Sequence, residues 1–260
     1  MKQILMIPDR EAADDTDKMA EEYGLGFEYN EFVRPEVLEE DEKLCGIVGE
    51  YMSRKLPEYC TIHGAFFDVI PFSPDQRIRE VGFLRIAQSI ETAKAIGAKA
   101  VVFHTGYNPF LNSDDYVRNW LDVNAEYWGG VLEQNPELNI YLENTFETTP
   151  KIMECLSERL CEYKNYGVCF DYAHAFLSKT APEEWAKRLG RFVKHVHIND
   201  NDGISDLHLA WGDGVIDRKT FYECYDRYFK GATVLVETSG LERTKRSLQV
   251  LKKEGFLKEY

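Results

Sequence analysis

A chain of 260 residues with 44% hydrophobic and 29% charged side chains has an ordinary globular composition and enough length for a large core, in the range where α/β barrels run as one domain. Its 31 basic residues against 45 acidic ones leave a net charge of −14, which argues against a broad electrostatic footprint for nucleic acid or anionic membrane but permits a local positive site built on bound metal. Six scattered cysteines with no C-x-x-C pair argue against a disulfide framework, and no apolar run forms a signal-peptide core or approaches the ~18 residues of a membrane span, so a cytoplasmic protein is expected.

In chain order, short apolar runs rich in β-branched or aromatic residues occur at KQILMIP, LGFEYN, YCTIHGA, KAVVFHT, LNIYLEN, YGVCFDY, FVKHVHI and ATVLVET. Each precedes a longer stretch with helical spacing and charge. After the third run, Ile78, Val81, Phe83, Leu84, Ile86, Ala87, Ile90 and Ala93 recur at spacings of three and four, and the pattern stops at Gly97 as an amphipathic helix should. The last unit, LERTKRSLQVLKKEGF, ends in the same way at Gly255. No Pro-, Gly- or Ser-rich linker divides the chain. Eight β/α units therefore predict an α/β fold, a single (β/α)8 TIM barrel over residues 1–260, with an open doubly wound sheet as the other architecture sharing the alternation.

The ends of the runs carry the chemistry. His63, His104, Glu143, Asp171 with His174, His197 and Glu237 follow strands three to eight, and Asp206 and His208 lie in the polar stretch HINDNDGISDLHLAWGDGVID at 197–217. A barrel delivers every strand end to one rim, where an open sheet would spread them along an edge. Singly, each histidine reads as a satisfied hydrogen-bonding group and each acid as the N-cap of the next helix. Jointly, five of the six histidines and four acids on one rim describe a divalent metal site. Imidazoles and carboxylates without a thiolate suit zinc, or manganese, with positions left for water and substrate. His195 faces the same side as His197 one layer deeper and reads as an orienting or packing residue, as Cys169 does beneath Asp171. Asn199 and Asp200 read as shaping the turn or orienting ligands, and the GDG at 212–214 lets the backbone lie close.

These motifs resemble the xylose isomerase-like barrel superfamily, and in detail its endonuclease IV (apurinic endonuclease family 2) branch. CFDYAHAF is similar to that branch's Cys-x-Asp-x-x-His-Ala-Phe, HIND to its His-x-Asn-Asp, and DLHLAWGDGVI to its Asp-x-His-x-x-x-Gly-x-Gly-x-Ile, while VLVET resembles its last strand. The resemblance implies up to three divalent ions, commonly zinc. His63, His104 and Glu143 would hold the first, Glu143, Asp171, His197 and Glu237 the second, and His174, Asp206 and His208 the third. Glu143, Glu237 and His174 become the catalytic candidates, with no organic cofactor.

Such a site is positively charged when filled and fits phosphoester hydrolysis, on abasic-site DNA or a smaller phosphorylated substrate. The alternative is a sugar or sugar-phosphate isomerase or epimerase using one ion on Glu143, Asp171, His197 and Glu237, the two glutamates shuttling a proton. GFEYNEF at 26–32 also resembles the start of many such relatives. The stretch EYNEFVRPEVLEEDE is acidic where DNA-acting members carry a basic loop, and Phe66 and Phe67 read as a lid over a small ligand, as loop packing or as wedges between bases.

Overall fold

In the computed structural model, which describes residues 2–66 and 69–257, eight parallel strands close on one another in chain order. They are β1 (Ile4–Met6), β2 (Gly26–Tyr29), β3 (Cys60–His63), β4 (Ala100–His104), β5 (Asn139–Glu143), β6 (Tyr166–Asp171), β7 (Val193–Ile198) and β8 (Thr233–Val236). Met6 of β1 lies opposite Val236 of β8, so the sheet has no edge and the open-sheet alternative is excluded. Among the described residues, no helix is long and apolar enough to cross a membrane.

Each strand is buried on both faces against different partners, as parallel strands in a barrel must be. Ile62, Val101, Phe103, Leu142 and Phe170 face the surrounding helices, whereas Ala100, Val102, Tyr141 and Cys169 form a separate cluster in the lumen. Side chains alternate along a strand, so the lumen set continues upward to His63, His104, Glu143, Asp171 and His197. It also includes Glu28, Thr61 and His195, all fully buried. The lumen is therefore apolar on one side and polar on the other.

Among the described residues, ten α-helices surround the strands: α1 (Ala13–Tyr23), α2 (Pro35–Leu38), α3 (Asp41–Met52), α4 (Gln76–Ile96), α5 (Asp114–Gln134), α6 (Lys151–Leu160), α7 (Tyr172–Leu177), α8 (Pro182–Leu189), α9 (Arg218–Cys224) and α10 (Leu241–Lys253). The acidic stretch after β2 folds as a 3-10 turn (Glu31–Val33) followed by α2 and α3, and Glu31 there accepts hydrogen bonds from Arg10 at 2.8 Å and Tyr51 at 2.5 Å. Asp75 caps α4 by accepting from the Arg77 N–H at 2.8 Å, and Gly97 ends it in the left-handed region at φ 76°, where a side chain would be strained.

The inward face of α4 differs from the expected one. Gly82, Ile86, Ser89, Ile90, Ala93 and Ile96 are buried with Arg85, whereas Ile78, Val81, Phe83, Leu84 and Ala87 are exposed. Two apolar stripes share this helix, and spacing alone does not say which of them meets the sheet. Ser89 ties the buried face down by accepting the Ala65 N–H at 3.0 Å, and Arg85 is paired with Gln88 and Glu39. Phe83 covers itself by stacking on Tyr127 of α5, with ring centroids 4.6 Å apart. Thermal melts of Leu84→Lys are expected to stay within about 0.5 kcal/mol of the parent, while Ile86→Ala, at 2% exposure, loses about 2–5 kcal/mol. Equal losses would return both residues to one face.

Candidate metal centre

Strand register places the site residues in neighbouring pairs: His104 of β4 lies beside Glu143 of β5, and Asp171 of β6 beside His197 of β7. Glu143 stands at the centre of what results. Its Oε2 lies 3.3 Å from His63 Nε2 and 3.5 Å from His104 Nε2, and its Oε1 lies 3.5 Å from both His197 Nδ1 and His174 Nδ1. Glu237, just past β8, brings Oε2 to 3.3 Å from His197 Nδ1 and 3.8 Å from His208 Nδ1. Further out, Asp206 Oδ2 lies 3.2 Å from His174 Nε2 and 3.0 Å from His208 Nε2.

The nine side chains named from sequence thus form three adjoining groups. They are His63–His104–Glu143, Glu143–Asp171–His197–Glu237 and His174–Asp206–His208, with the donor atoms in each group within 4.8 Å of one another. The first two groups are buried and the third sits at the mouth, with Asp206 exposed.

Backbone carbonyls orient most of the imidazoles. His63 Nδ1 lies 3.0 Å from the Gly64 carbonyl, His174 Nδ1 2.8 Å from that of Asn144, and His208 Nδ1 3.1 Å from that of Glu237. Each carbonyl accepts the Nδ1 proton and frees Nε2 to face a carboxylate of the site. Asp171 serves twice, because its Oδ1 accepts the His174 N–H at 2.5 Å as the N-cap of α7 while Oδ2 is left buried without a partner. The N-cap reading of that residue is therefore realised, and Oδ2 stays available to a ligand.

The long loop after β7 is shaped by Asp200, which accepts from Gly212 N–H at 2.9 Å and from Ile216 N–H at 3.0 Å and pairs its backbone with Leu209. Gly214 must be glycine for this, since a Cβ there would overlap the Asn201 carbonyl and the Asp200 carboxylate. The folded-back loop holds His208 at φ 45°, a strained conformation for a non-glycine residue that the surrounding contacts must enforce. Asn199, read as turn-shaping, has both side-chain polar atoms buried and unpartnered.

Such an arrangement fits a cation. Glu143 Oε2, Asp171 Oδ2 and Glu237 Oε2 are buried carboxylate oxygens of these groups without a hydrogen-bond partner, which polar groups in an interior rarely tolerate. Proton affinities respond accordingly. Burial pushes the Asp171 carboxyl up to about 7, with Glu237, Glu143 and Asp206 adding to the rise. Burial disfavours charge on His208, but Asp206 and Glu237 outweigh it and raise the imidazole to about 10. Glu143, which burial alone would raise, is held well below the usual carboxylate range by His197 and His104.

A family model described as Xylose isomerase-like TIM barrel matches residues 19–254. The chain belongs to that family. The TTHB071 protein from Thermus thermophilus, in a crystal soaked with ZnCl2, superposes with a TM-score of 0.78 at 26% identity, covering 98% of this chain and 99% of that one. A probable endonuclease 4 from Mycobacterium leprae is 28% identical, the match covering 64% of this chain and 68% of that protein. A fructoselysine 3-epimerase from Shigella flexneri is 24% identical, over 60% of this chain and 59% of its own length. Members similar to this chain thus carry names from both hydrolytic and sugar-converting enzymes.

Beside the outer group of this xylose isomerase-like barrel opens a cavity of about 940 Å³. Its lining includes His104, His174 and Asp206 with Phe66, Tyr107, Phe146 and Lys179. Phe66 packs its ring 4.2 Å from that of His104, while Phe67 lies outside the described residues. His195 lies one layer below His197, with ring centroids 4.9 Å apart.

Sequence reading missed Glu28. It lies fully buried on β2, with Oε1 3.1 Å from His197 Nε2 and Oε2 3.1 Å from His195 Nε2. A lone acid inside the apolar run LGFEYN, with both flanking residues facing the helices, was the available signal.

Two outcomes follow for the centre. Metal uptake must displace protons from groups such as His208 and Asp171, so affinity rises with pH between about 6 and 8. Calorimetry in buffers of different ionisation enthalpy is expected to show about one proton or more released per chain at pH 7, and none released would contradict the clustering. Gly214→Ala is expected to cost about 1–3 kcal/mol by overpacking, read as a fall in Tm of a few °C.

Proposed function

We infer that the protein is a divalent-metal-dependent phosphoester hydrolase acting on a small phosphorylated substrate. The third group carries this reading: His174, Asp206 and His208 add a site for an ion beyond the one that Glu143, Asp171, His197 and Glu237 can hold, and a one-ion isomerase has no use for it. His63 and His104 with Glu143 complete a set for up to three ions, zinc being the first candidate and manganese the second. The likeness to a protein whose crystal was soaked with ZnCl2 agrees with that order.

Bound divalent ions supply a water of pKa near ~7 and neutralise charge building on phosphoryl oxygens. The chain's own residues supply orientation and proton handling. Glu143, aimed by four imidazoles, keeps the first two groups in register. Glu237, whose Oε2 has no hydrogen-bond partner, is the candidate to take a proton from the attacking water. His174, fixed by the Asn144 carbonyl and opening on the cavity, faces the side where a leaving group would depart.

The cavity supports a compact substrate whose phosphate meets the centre and whose remainder packs on Phe66, Tyr107 and Phe146. Lys179 is the one cation among its described lining residues. That wall and the net charge of −14 disfavour a long duplex, which needs several cations along its phosphates. Abasic-site DNA therefore stands behind a phosphorylated sugar or similar small molecule. One observation favours a second reading, a sugar epimerase: Glu143 and Glu237 both face His197, the pairing that a two-glutamate proton shuttle at carbon would use, and an epimerase is among the similar proteins.

Elemental analysis of protein purified without chelator is expected to find more than one ion per chain. A panel of phosphorylated sugars, a generic phosphodiester and an abasic duplex is expected to give hydrolysis, strongest on the small substrates. His208→Ala is expected to lower that hydrolysis more than ~100-fold, since even changes behind the ligands of a metal commonly cost 10–100-fold. A single ion per chain, with sugar epimerisation undisturbed in His208→Ala, would transfer the assignment to the epimerase.

A further inference from the structure

Beneath the metal centre the lumen holds a polar column that runs from the barrel floor to His197. Thr233 Oγ1 lies 2.5 Å from His195 Nδ1, His195 Nε2 lies 3.1 Å from Glu28 Oε2, and Glu28 Oε1 lies 3.1 Å from His197 Nε2. The Thr61 hydroxyl donates to Glu28 Oε2 at 2.6 Å. Glu28, Thr61, His195 and His197 are all fully buried.

Proton placement in this column follows once His197 is taken as a neutral metal ligand. An ionised carboxylate only accepts, so Thr61 and His195 donate to Glu28 Oε2, and the proton that a metal-ligating, neutral His197 turns toward Glu28 Oε1 is its Nε2–H, across a 3.1 Å ion-pair contact that lacks regular hydrogen-bond geometry. Neutral His195 then accepts the Thr233 hydroxyl at Nδ1, and neutral His197 is left with a bare Nδ1. That atom is the one lying 3.5 Å from Glu143 and 3.3 Å from Glu237.

His197 is thereby set apart from its neighbours. His63, His174 and His208 each place Nδ1 against a backbone carbonyl and turn Nε2 to the site, whereas His197 turns Nδ1 to the site and rests Nε2 on a carboxylate.

We propose that Glu28 is a positioning residue, whose carboxylate holds the Nε2 proton of His197 and so aims Nδ1 into the pocket between Glu143 and Glu237. The inference rests on the reading of that pocket as a metal centre. A carboxylate behind a ligating imidazole fixes its tautomer and ring plane and raises its basicity. A residue that merely filled the lumen would do neither, and an amide of the same shape would replace it.

Glu28→Gln makes the distinction, because a carboxamide offers one acceptor oxygen and turns an NH2 group toward the donors. Competition with a chromophoric chelator is expected to show zinc binding weakened 10–100-fold in Glu28→Gln. Thr61→Val, which keeps both imidazole contacts, is expected to stay within about threefold of the parent on the same scale. Proton–nitrogen correlation spectra of the zinc-loaded parent are expected to show His197 protonated at Nε2, with that proton exchanging faster in Glu28→Gln.

Unchanged zinc affinity in a folded Glu28→Gln protein would overturn the proposal. A His197 protonated at Nδ1 in the zinc-loaded parent would do the same, and that measurement decides the matter even if the variant fails to fold. A parent that binds no zinc or manganese at all would instead remove the metal reading, and this inference with it.

Discussion

Barrel closure forces three carboxylates, Glu143, Asp171 and Glu237, into one water-poor pocket around His197, and this crowding of like charge governs the rest of the molecule. Groups of one sign at such separations cannot all ionise in an interior without a compensating cation or proton. The imidazoles answer part of that demand, which is why His208 holds its proton tightly and why burial alone does not keep Glu143 protonated. The remaining unpartnered oxygens leave the pocket short of donors, a deficit that a divalent ion would offset.

The centre is graded from strand-borne to loop-borne residues. His63, His104, Glu143, Asp171 and His197 project from strands whose pairing fixes them, with the Glu28 column beneath. Asp206 and His208 come instead from a loop, and Asp200 compensates by tying two distant amides of that loop to one carboxylate. The strained backbone at His208 fits a loop held in place to deliver a side chain. Sites built this way keep the deep ligands precise while leaving the outer wall free to differ between substrates.

The inner pocket, with two glutamates, an aspartate and a histidine, suits proton transfer at carbon as readily as support of an ion. In this chain the outer group borders a cavity where aromatic walls and one lysine meet the open side of His174 and Asp206.

Sequence alone determined the alternation of strands and helices, because each element needs its own hydrophobic period, and it determined which side chains end the strands, because period two carries parity from one residue to the next. His195 was legible as the layer below His197 for the same reason. Tertiary structure decided the rest. The inward face of α4 is the one on which Ser89 bonds the loop after β3 at Ala65, and no count of apolar residues distinguishes that face from the Val81–Leu84 side. Glu28 was hidden although it lies within GFEYNEF: its meaning comes from the opposite wall of the closed cylinder, where His195 and His197 stand far away along the chain and bring their Nε2 atoms to 3.1 Å from its carboxylate.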